Sequence, residues 1–530
     1  MAYMFWSLLL CIVVGSHTTY SWTAPGGVCD VDINKPRTAQ FQYNLDQIEI
    51  RDADREYWRD QARDTMKDAI DLAKKLDTTT MAKNIILFIG DGMSLPTVTG
   101  ARILKGQKIE MPGEEKFLSF EQFPYVGMSK TYNVDSQVAD CASTATALLT
   151  GVKTKNRMIG LNGKAIPGDC TSAAGKEVDS ILKVAKNAGW NVGIVTTAAL
   201  VNSTPAAAYA HTPEEKWTYT VPGGCAVQDI ATQFVRSDFD IDVALGGGRS
   251  FFMRNTDTDP DSGTKGKRTD GVDLIAEWKN KYSSGTSRYV TKKADLLALS
   301  SSTNYVLGMF HPDDMSYNDR KSSKEPSLTE MTETALQLLQ NKNKQYLLVV
   351  EGAHINTGHR ENKAGQALHE TLAMDAAVEK AMVMTSDDDT MVIVTADHGH
   401  TMTMAGYPCR GQPILGKVYA KEDFAQYCDE LPYTQLGYSN GPSAPQVQQS
   451  LKDGKGRPRL DSVDTEDLDY QAQSFIPLAA ATHGGEDVQI FASGPMSHLA
   501  QGVHDQTYIN ALMLYAGCLG RHSHASCKQY

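Results

Sequence analysis

Long apolar runs are missing from this 530-residue chain: no internal segment approaches the roughly twenty consecutive apolar residues that a membrane-spanning helix needs. Basic clusters are missing too. With 51 Lys and Arg against 63 Asp and Glu, the formal net charge is −12, and no patch stands ready to neutralise a nucleic-acid backbone. There is no internal repeat. The last ten residues, RHSHASCKQY, lack the hydrophobic tail that is removed when a glycolipid anchor is attached, so no membrane anchor is expected. The one N-x-S/T sequon is at Asn202. Nothing indicates disorder, because 41% hydrophobic and 22% charged residues is an ordinary globular composition.

What is present starts with an apolar run from Phe5 to Val14, too short to span a bilayer and followed by small and polar residues. It lacks a preceding Lys or Arg, yet its position and length read as a signal peptide over 1–21, which makes the mature chain secreted and extracellular. Nine cysteines fit an oxidising compartment. Cys11 leaves with the signal peptide. Cys518 and Cys527 can close a small C-terminal loop, and spacing leaves the other pairings open.

Five short apolar segments read as buried parallel strands, each running into a polar residue able to do chemistry: Asn84–Asp91, Val192–Thr197, Tyr346–Glu351, Met391–His398 and Asp487–Ala492. Helical patterns lie between them, as in Ser327–Leu339 and Leu368–Met384. This alternation predicts an α/β fold with a doubly wound, mostly parallel central sheet flanked by helices. Ligands bind such sheets beyond the carboxyl ends of the strands, where Asp91, Glu351, Asp397 and His398 would converge. Three stretches look peripheral: a charged amphipathic arm at 52–76, a loop-rich insertion at about 254–288, and a Gly-, Pro- and Tyr-rich insertion with little helical periodicity at about 406–475. The rest, 22–527, reads as a single domain.

Asp91, Glu351, Asp397, His398 and His483 are the side-chain types that hold Zn²⁺ and Mg²⁺. One such residue at a strand end is usually a cap or a solvated group. Four at the ends of three apolar strands would bury several charges at several kcal/mol each, by an order-of-magnitude reckoning. A bound cation is the economical explanation.

The motifs Ile89-Gly90-Asp91-Gly92-Met93-Ser94, Asp140-Cys141-Ala142-Ser143-Thr144-Ala145-Thr146-Ala147, Val350-Glu351-Gly352, Thr395-Ala396-Asp397-His398-Gly399-His400 and Thr482-His483-Gly484-Gly485-Glu486-Asp487 resemble, in order, those of the alkaline phosphatase family. The similarity runs from about residue 30 to Cys527, and includes Leu245-Gly246-Gly247-Gly248-Arg249 and a crown-like insertion toward the C-terminal third. It implies a homodimer, two zinc ions and one magnesium per site, and a phosphate ester or another small molecule as ligand. Carried over by position, Asp91, Asp397 and His398 match one zinc site, and Asp91, Thr204 and Glu351 match the magnesium site. The second zinc site falls on Asn356, Arg360 and His483. Asn is a weak ligand and a guanidinium cannot ligate a cation at all, so Arg360 would replace a metal's charge rather than bind it; the adjacent His359 is the one residue placed to shift in.

Two more positions depart from the family pattern. Cys141 stands at the nucleophile position, at a helix N-terminus near an implied cation, both of which favour thiolate; that thiolate would attack substrate or remain a permanent zinc ligand. Glu215 falls where the family clamps phosphate with Arg, and Lys216 is one residue off. The resemblance further implies disulfides Cys170–Cys225 and Cys518–Cys527, and a calcium site of Asp261, the Phe310 carbonyl and Glu325, with His311 where the family has Glu; Cys409 and Cys428 are placed to close a loop in the second insertion. Losing one electrostatic stabiliser commonly costs ~10²–10³ in rate, though losses in a coupled site do not multiply. The expected function is a secreted alkaline-phosphatase-family protein with phosphomonoesterase activity lost or much reduced and its pocket turned to binding or a new reaction. The alternative is an active metal-dependent phosphate monoester hydrolase using Cys141 as nucleophile.

Overall fold

Ten strands form one sheet, and the two sides of that sheet carry the core. In the computed structural model the described residues are 79–283, 285–342, 344–418, 431–454 and 456–520, with isolated positions between 44 and 64. The strands are β1 (Asn84–Gly90), β2 (Tyr125–Lys130), β3 (Asn191–Ala199), β4 (Val243–Gly247), β5 (Ser287–Val290), β6 (Tyr305–Met309), β7 (Tyr346–Gly352), β8 (Thr390–Ala396), β9 (Val488–Ser493) and β10 (Gly502–Asp505). Their spatial order is β10-β2-β9-β8-β1-β7-β3-β4-β6-β5. Along β1, Ile85, Leu87 and Ile89 enter one core and Ile86 and Phe88 the other. That is the period of two expected of a strand covered on both faces.

All neighbouring pairs are parallel except those of β9, which runs antiparallel to both β8 and β2. The expectation of a fifth parallel strand at Asp487–Ala492 is corrected on this point. A fully buried strand reads the same in either direction, since burial fixes the side-chain pattern and not the polarity.

The two expected helices are present. One is Leu328–Gln340, whose Ser327 cap and Glu330 form a reciprocal capping box; the other is Ala364–Met384. The 406–475 insertion differs from expectation. It holds a helix at Ala444–Lys452, and its strands Leu436–Gly441 and Ser474–Pro477 join Met402–Met404 in a small sheet. Pro445 in the first turn of that helix needs no helical donor, so a Pro-rich stretch starts a helix rather than breaking one.

The signal peptide, Cys29, Cys428 and Cys527 lie outside the described residues; within the expected arm the described positions Tyr57, Asp60, Arg63 and Asp64 are helical. Cys409 and Cys518 are disulfide-bonded. The sulfurs of Cys170 and Cys225, the other pair expected to be joined, lie in contact with each other. Each sulfur is carried by its own tight turn, one opened by the Asp169 cap and one closed from Cys225 N to Pro222 O, and the two meet at contact.

Candidate metal centre and pocket

Parallel register brings the site together. Ile89 lies level with Glu351, and Gly90 level with both Gly352 and Ala396, so Asp91, Glu351 and Asp397 leave the sheet at one edge. Gly92 turns the chain there with φ +71°, and its N–H donates to Asp397 Oδ1 at 3.0 Å. A side chain at Gly92 would be strained in that left-handed conformation.

The thiol of Cys141 faces this edge from the first position of helix Cys141–Thr150, which Asp140 caps through Ser143 N. Its Sγ is 3.3 Å from His398 Nε2 and 3.6 Å from Asp91 Oδ1. His398 Nε2 is also 3.3 Å from Asp397 Oδ2 and 3.4 Å from Asp91 Oδ1. Ligand atoms of Asp91, Cys141, Asp397 and His398 all lie within 4.8 Å of one another, as do those of Cys141, His398 and His483. Thr204 Oγ1 is buried near Glu351 without a well-formed hydrogen bond.

The electrostatics of this cluster call for a cation. Burial, then Asp397 and Glu351, hold the Asp91 carboxyl well above the usual range. Burial pushes Glu351 up to about 7, against the hydrogen bond from Thr196, and raises Asp397 as well. Burial lowers His398 to about 4, so the imidazole stays neutral and offers no positive charge. Burial followed by Asp91, Asp397 and Glu215 raises the Cys141 thiol well above its ordinary value. Without a cation the helix N-terminus alone therefore does not make a thiolate, because burial and the four carboxylates, Asp140 being the fourth, outweigh a partial dipole charge. Oxygen, nitrogen and sulfur donors with an under-bonded threonine oxygen fit zinc and magnesium.

Of the residues expected around a second zinc, Asn356 donates from Nδ2 to Asp91 Oδ2 at 3.1 Å and to Cys141 Sγ at 3.6 Å, while its Oδ1 accepts from His400 Nε2 at 3.0 Å. Its amide thus turns hydrogens, not oxygen, toward the centre. His359 does not shift in: Thr97 Oγ1 and Tyr438 OH each hold one ring nitrogen at 2.9 Å. Arg360 lines the pocket, and its guanidinium has no carboxylate partner among the described residues; its charge contributes to lowering His398 and His483. His483 is held by Ala139 O at 2.9 Å and stacks on His398 with ring centroids 3.6 Å apart.

The cavity above these groups measures about 730 Å³, with Glu215, Lys216 and Arg360 on its wall. Glu215 accepts from Ser203 Oγ at 2.7 Å. Reading the sequence missed Arg157, whose Nε donates to Glu214 Oε2 at 2.8 Å; no local pattern marks that long-range pair. It also missed the His400–Asn356 contact, although His400 stands inside a quoted motif. The expected calcium residues already have partners within the chain. Asp261 is matched by Lys292 at 3.0 Å and Arg249 at 3.6 Å, and Glu325 accepts from Ser316 N and Oγ at 2.9 Å each, so the chain's own donors take these carboxylates.

Comparison with known proteins shows the family and the fold. The family model described as alkaline phosphatase matches residues 82–519. The chain is 46% identical over 484 residues to the tissue-nonspecific isozyme of alkaline phosphatase from Rattus norvegicus, covering 89% of this chain and 90% of that protein. It is 43% identical over the same length to the Homo sapiens isozyme, with the same coverage, and 42% identical over 478 residues to alkaline phosphatase from Gadus morhua, covering 88% and 97%. Among solved structures, alkaline phosphatase from the Antarctic bacterium TAB5 superposes with a TM-score of 0.59 at 21% identity, over 84% of this chain and all of that one. The Thermus thermophilus enzyme gives 0.58 at 22%, over 83% and 92%.

Proposed function

The chain belongs to the alkaline phosphatase family, and from that premise we propose that it is a secreted, homodimeric member whose phosphomonoesterase activity is lost or much reduced. Its pocket keeps divalent cations and binds a small molecule, or supports a different reaction on one. Asp91, Asp397 and His398 would hold zinc, and Asp91, Glu351 and Thr204 magnesium. Bound there, the cations would stabilise negative charge on a ligand oxygen as Lewis acids. The observation that carries the reading is the orientation of Asn356, whose amide hydrogens point at Asp91 and Cys141. A second cation beside them would meet donors rather than lone pairs. Glu215 on the wall repels a phosphate dianion, and Arg360 supplies a fixed positive charge that cannot activate water.

The test is hydrolysis of an aryl phosphate by the purified chain supplied with zinc and magnesium. Turnover at least ~10²–10³ below that of a tissue-nonspecific relative is expected. Comparable turnover, abolished by Cys141→Ala and by chelators, overturns the reading.

A second reading rests on the Cys141 Sγ–His398 Nε2 distance of 3.3 Å. In it, the Cys141 thiolate forms a bond to phosphorus as the ester P–O bond breaks and the alcohol or phenol oxygen leaves; a cation held beside it would supply the charge that favours the thiolate. Rapid acid quench during turnover would then trap a phosphocysteine; turnover without that adduct removes this mechanism.

A further inference from the structure

Away from the sheet edge, the insertion at 406–475 holds a cavity of its own. It measures about 660 Å³ and opens between helix Ala444–Lys452, the small sheet and the stretch 457–463. Small-molecule sites run to roughly 300–1,000 Å³ and are lined mainly by apolar and aromatic groups with a few polar ones. This cavity fits that description. Tyr433, Tyr470 and Phe475 supply ring faces, and Val447, Leu460 and Val463 supply aliphatic wall. Phe475 is 70% exposed, and an apolar body laid against it would remove that ring from water.

The floor is anchored rather than loose. Tyr438 OH meets His359 Nδ1 at 2.9 Å, and Gln471 Nε2 donates to Glu361 O at 2.9 Å. Two wall residues thus grip the helix His354–Arg360 and its cap. Ser443 Oγ donates to Ala472 O at 2.7 Å and lies 2.7 Å from Ser474 Oγ. These floor groups are satisfied within the chain, so the floor calls for apolar contact rather than for a polar ligand atom. Charge lies on the wall instead. Arg457 Nη2 donates to Leu431 O at 2.6 Å, which fixes its guanidinium. Arg459 pairs with Asp461 at 2.9 Å, but its side chain is 73% exposed and such a pair is weak. Asp469, on the same wall, is already matched by Arg320 at 2.8 Å and Lys363 at 3.0 Å.

We propose that this cavity is a second ligand site, which takes an amphipathic organic anion. Its aromatic body would lie against Tyr433, Tyr470 and Phe475, with a single carboxylate or sulfonate toward Arg457 and Arg459. Ring faces pair well with aromatic and guanidinium planes, and the anion meets a wall whose acid is already neutralised. The site goes beyond the reading of the main cavity and does not depend on it.

The experiment titrates the full chain, supplied with zinc and magnesium, with 8-anilinonaphthalene-1-sulfonate and follows the dye's fluorescence. Saturation at one site per chain is expected. Val447→Trp, which fills the cavity, should remove that site. Arg459→Glu should weaken binding about threefold or more, the modest effect of an exposed charge. N-phenyl-1-naphthylamine, which has the same rings without the sulfonate, should bind more weakly and ignore Arg459→Glu. Dye binding that is absent from the parent chain or survives Val447→Trp overturns the inference. Equal affinity for the neutral dye, or an Arg459→Glu variant that binds the anion as before, overturns it as well. Circular dichroism and unfolding midpoints check each variant, since loosely packed chains also take up such dyes. Should Val447→Trp fail to fold, Arg459→Glu decides, because its side chain is exposed. Aryl phosphate turnover, full or absent, bears on the main cavity alone.

Discussion

Two acidic regions of the molecule were each expected to hold a cation, and they solve the same problem in opposite ways. At the sheet edge, Asp91, Asp397 and Glu351 face one another with neutral imidazoles and a thiol, and each carboxyl is raised. In the region around Asp259 and Asp261, Arg249 and Lys292 reach the carboxylates directly, and Asp261 is lowered, chiefly by the hydrogen bond from Thr291 and with Lys292 next among the groups that lower it. Acidic residues close in sequence thus say little about metal. What separates the two regions is whether the chain supplies its own positive charge.

The largest expected effect that would break this comparison lies in the self-neutralised region. Arg249→Ala strands Asp259, which is 1% exposed and bonded to Arg249 at 2.5 Å. Loss of ~3–5 kcal/mol in chemical denaturation is expected; a change within 1 kcal/mol, roughly a surface effect, would show that a hidden cation shares the load.

Next comes chelation. Stripping divalent cations should lower the unfolding temperature, by the equivalent of about 2.7 kcal/mol when the free cation had stood at about 100 times its Kd. Arg249→Ala should not change that response. An unfolding temperature indifferent to chelators would place the sheet edge with the other region.

A smaller effect concerns pH. The folded value of Glu351, about 7, lies above its ordinary 4.5, so the folded metal-free chain holds this proton more tightly than the unfolded chain does. Its contribution is present below about 4.5 and lost as pH rises through about 7. In chelator, unfolding midpoints should therefore fall across that window, and saturating zinc and magnesium should flatten the slope. A rise in chelator contradicts the assignment.

The smallest effect should follow Lys292→Met. Lys292 is an exposed partner of Asp261, so the unfolding temperature should drop less than for Arg249→Ala, and added calcium should not alter it. A calcium-dependent rise in the variant alone would mean that the ammonium occupies a cation position.

The sheet edge was legible because short apolar strands each run directly into Asp91, Glu351 or Asp397, and register does the rest. The direction of β9 was not, since burial alone patterns it. His359 looked available because it neighbours Arg360 in the chain, but its partners Thr97 and Tyr438 come from distant elements. Lys292 and Arg249 near Asp261 were invisible for the same reason. The helix at Ala444–Lys452 was masked by surrounding Gly and Pro, which govern its ends rather than its middle.

Because β9 runs against β8, with Ile490 level with Thr395 and Ser493 with Val392, the residues just ahead of β9 return to the edge where β8 ends. His483 arrives there by that reversal, pairing with His400. The earliest strand to fold, if order followed synthesis, would present Asp91 long before the chain supplied His483. A cation held by both Asp91 and His483 would consequently gain its last protein contact late in biogenesis.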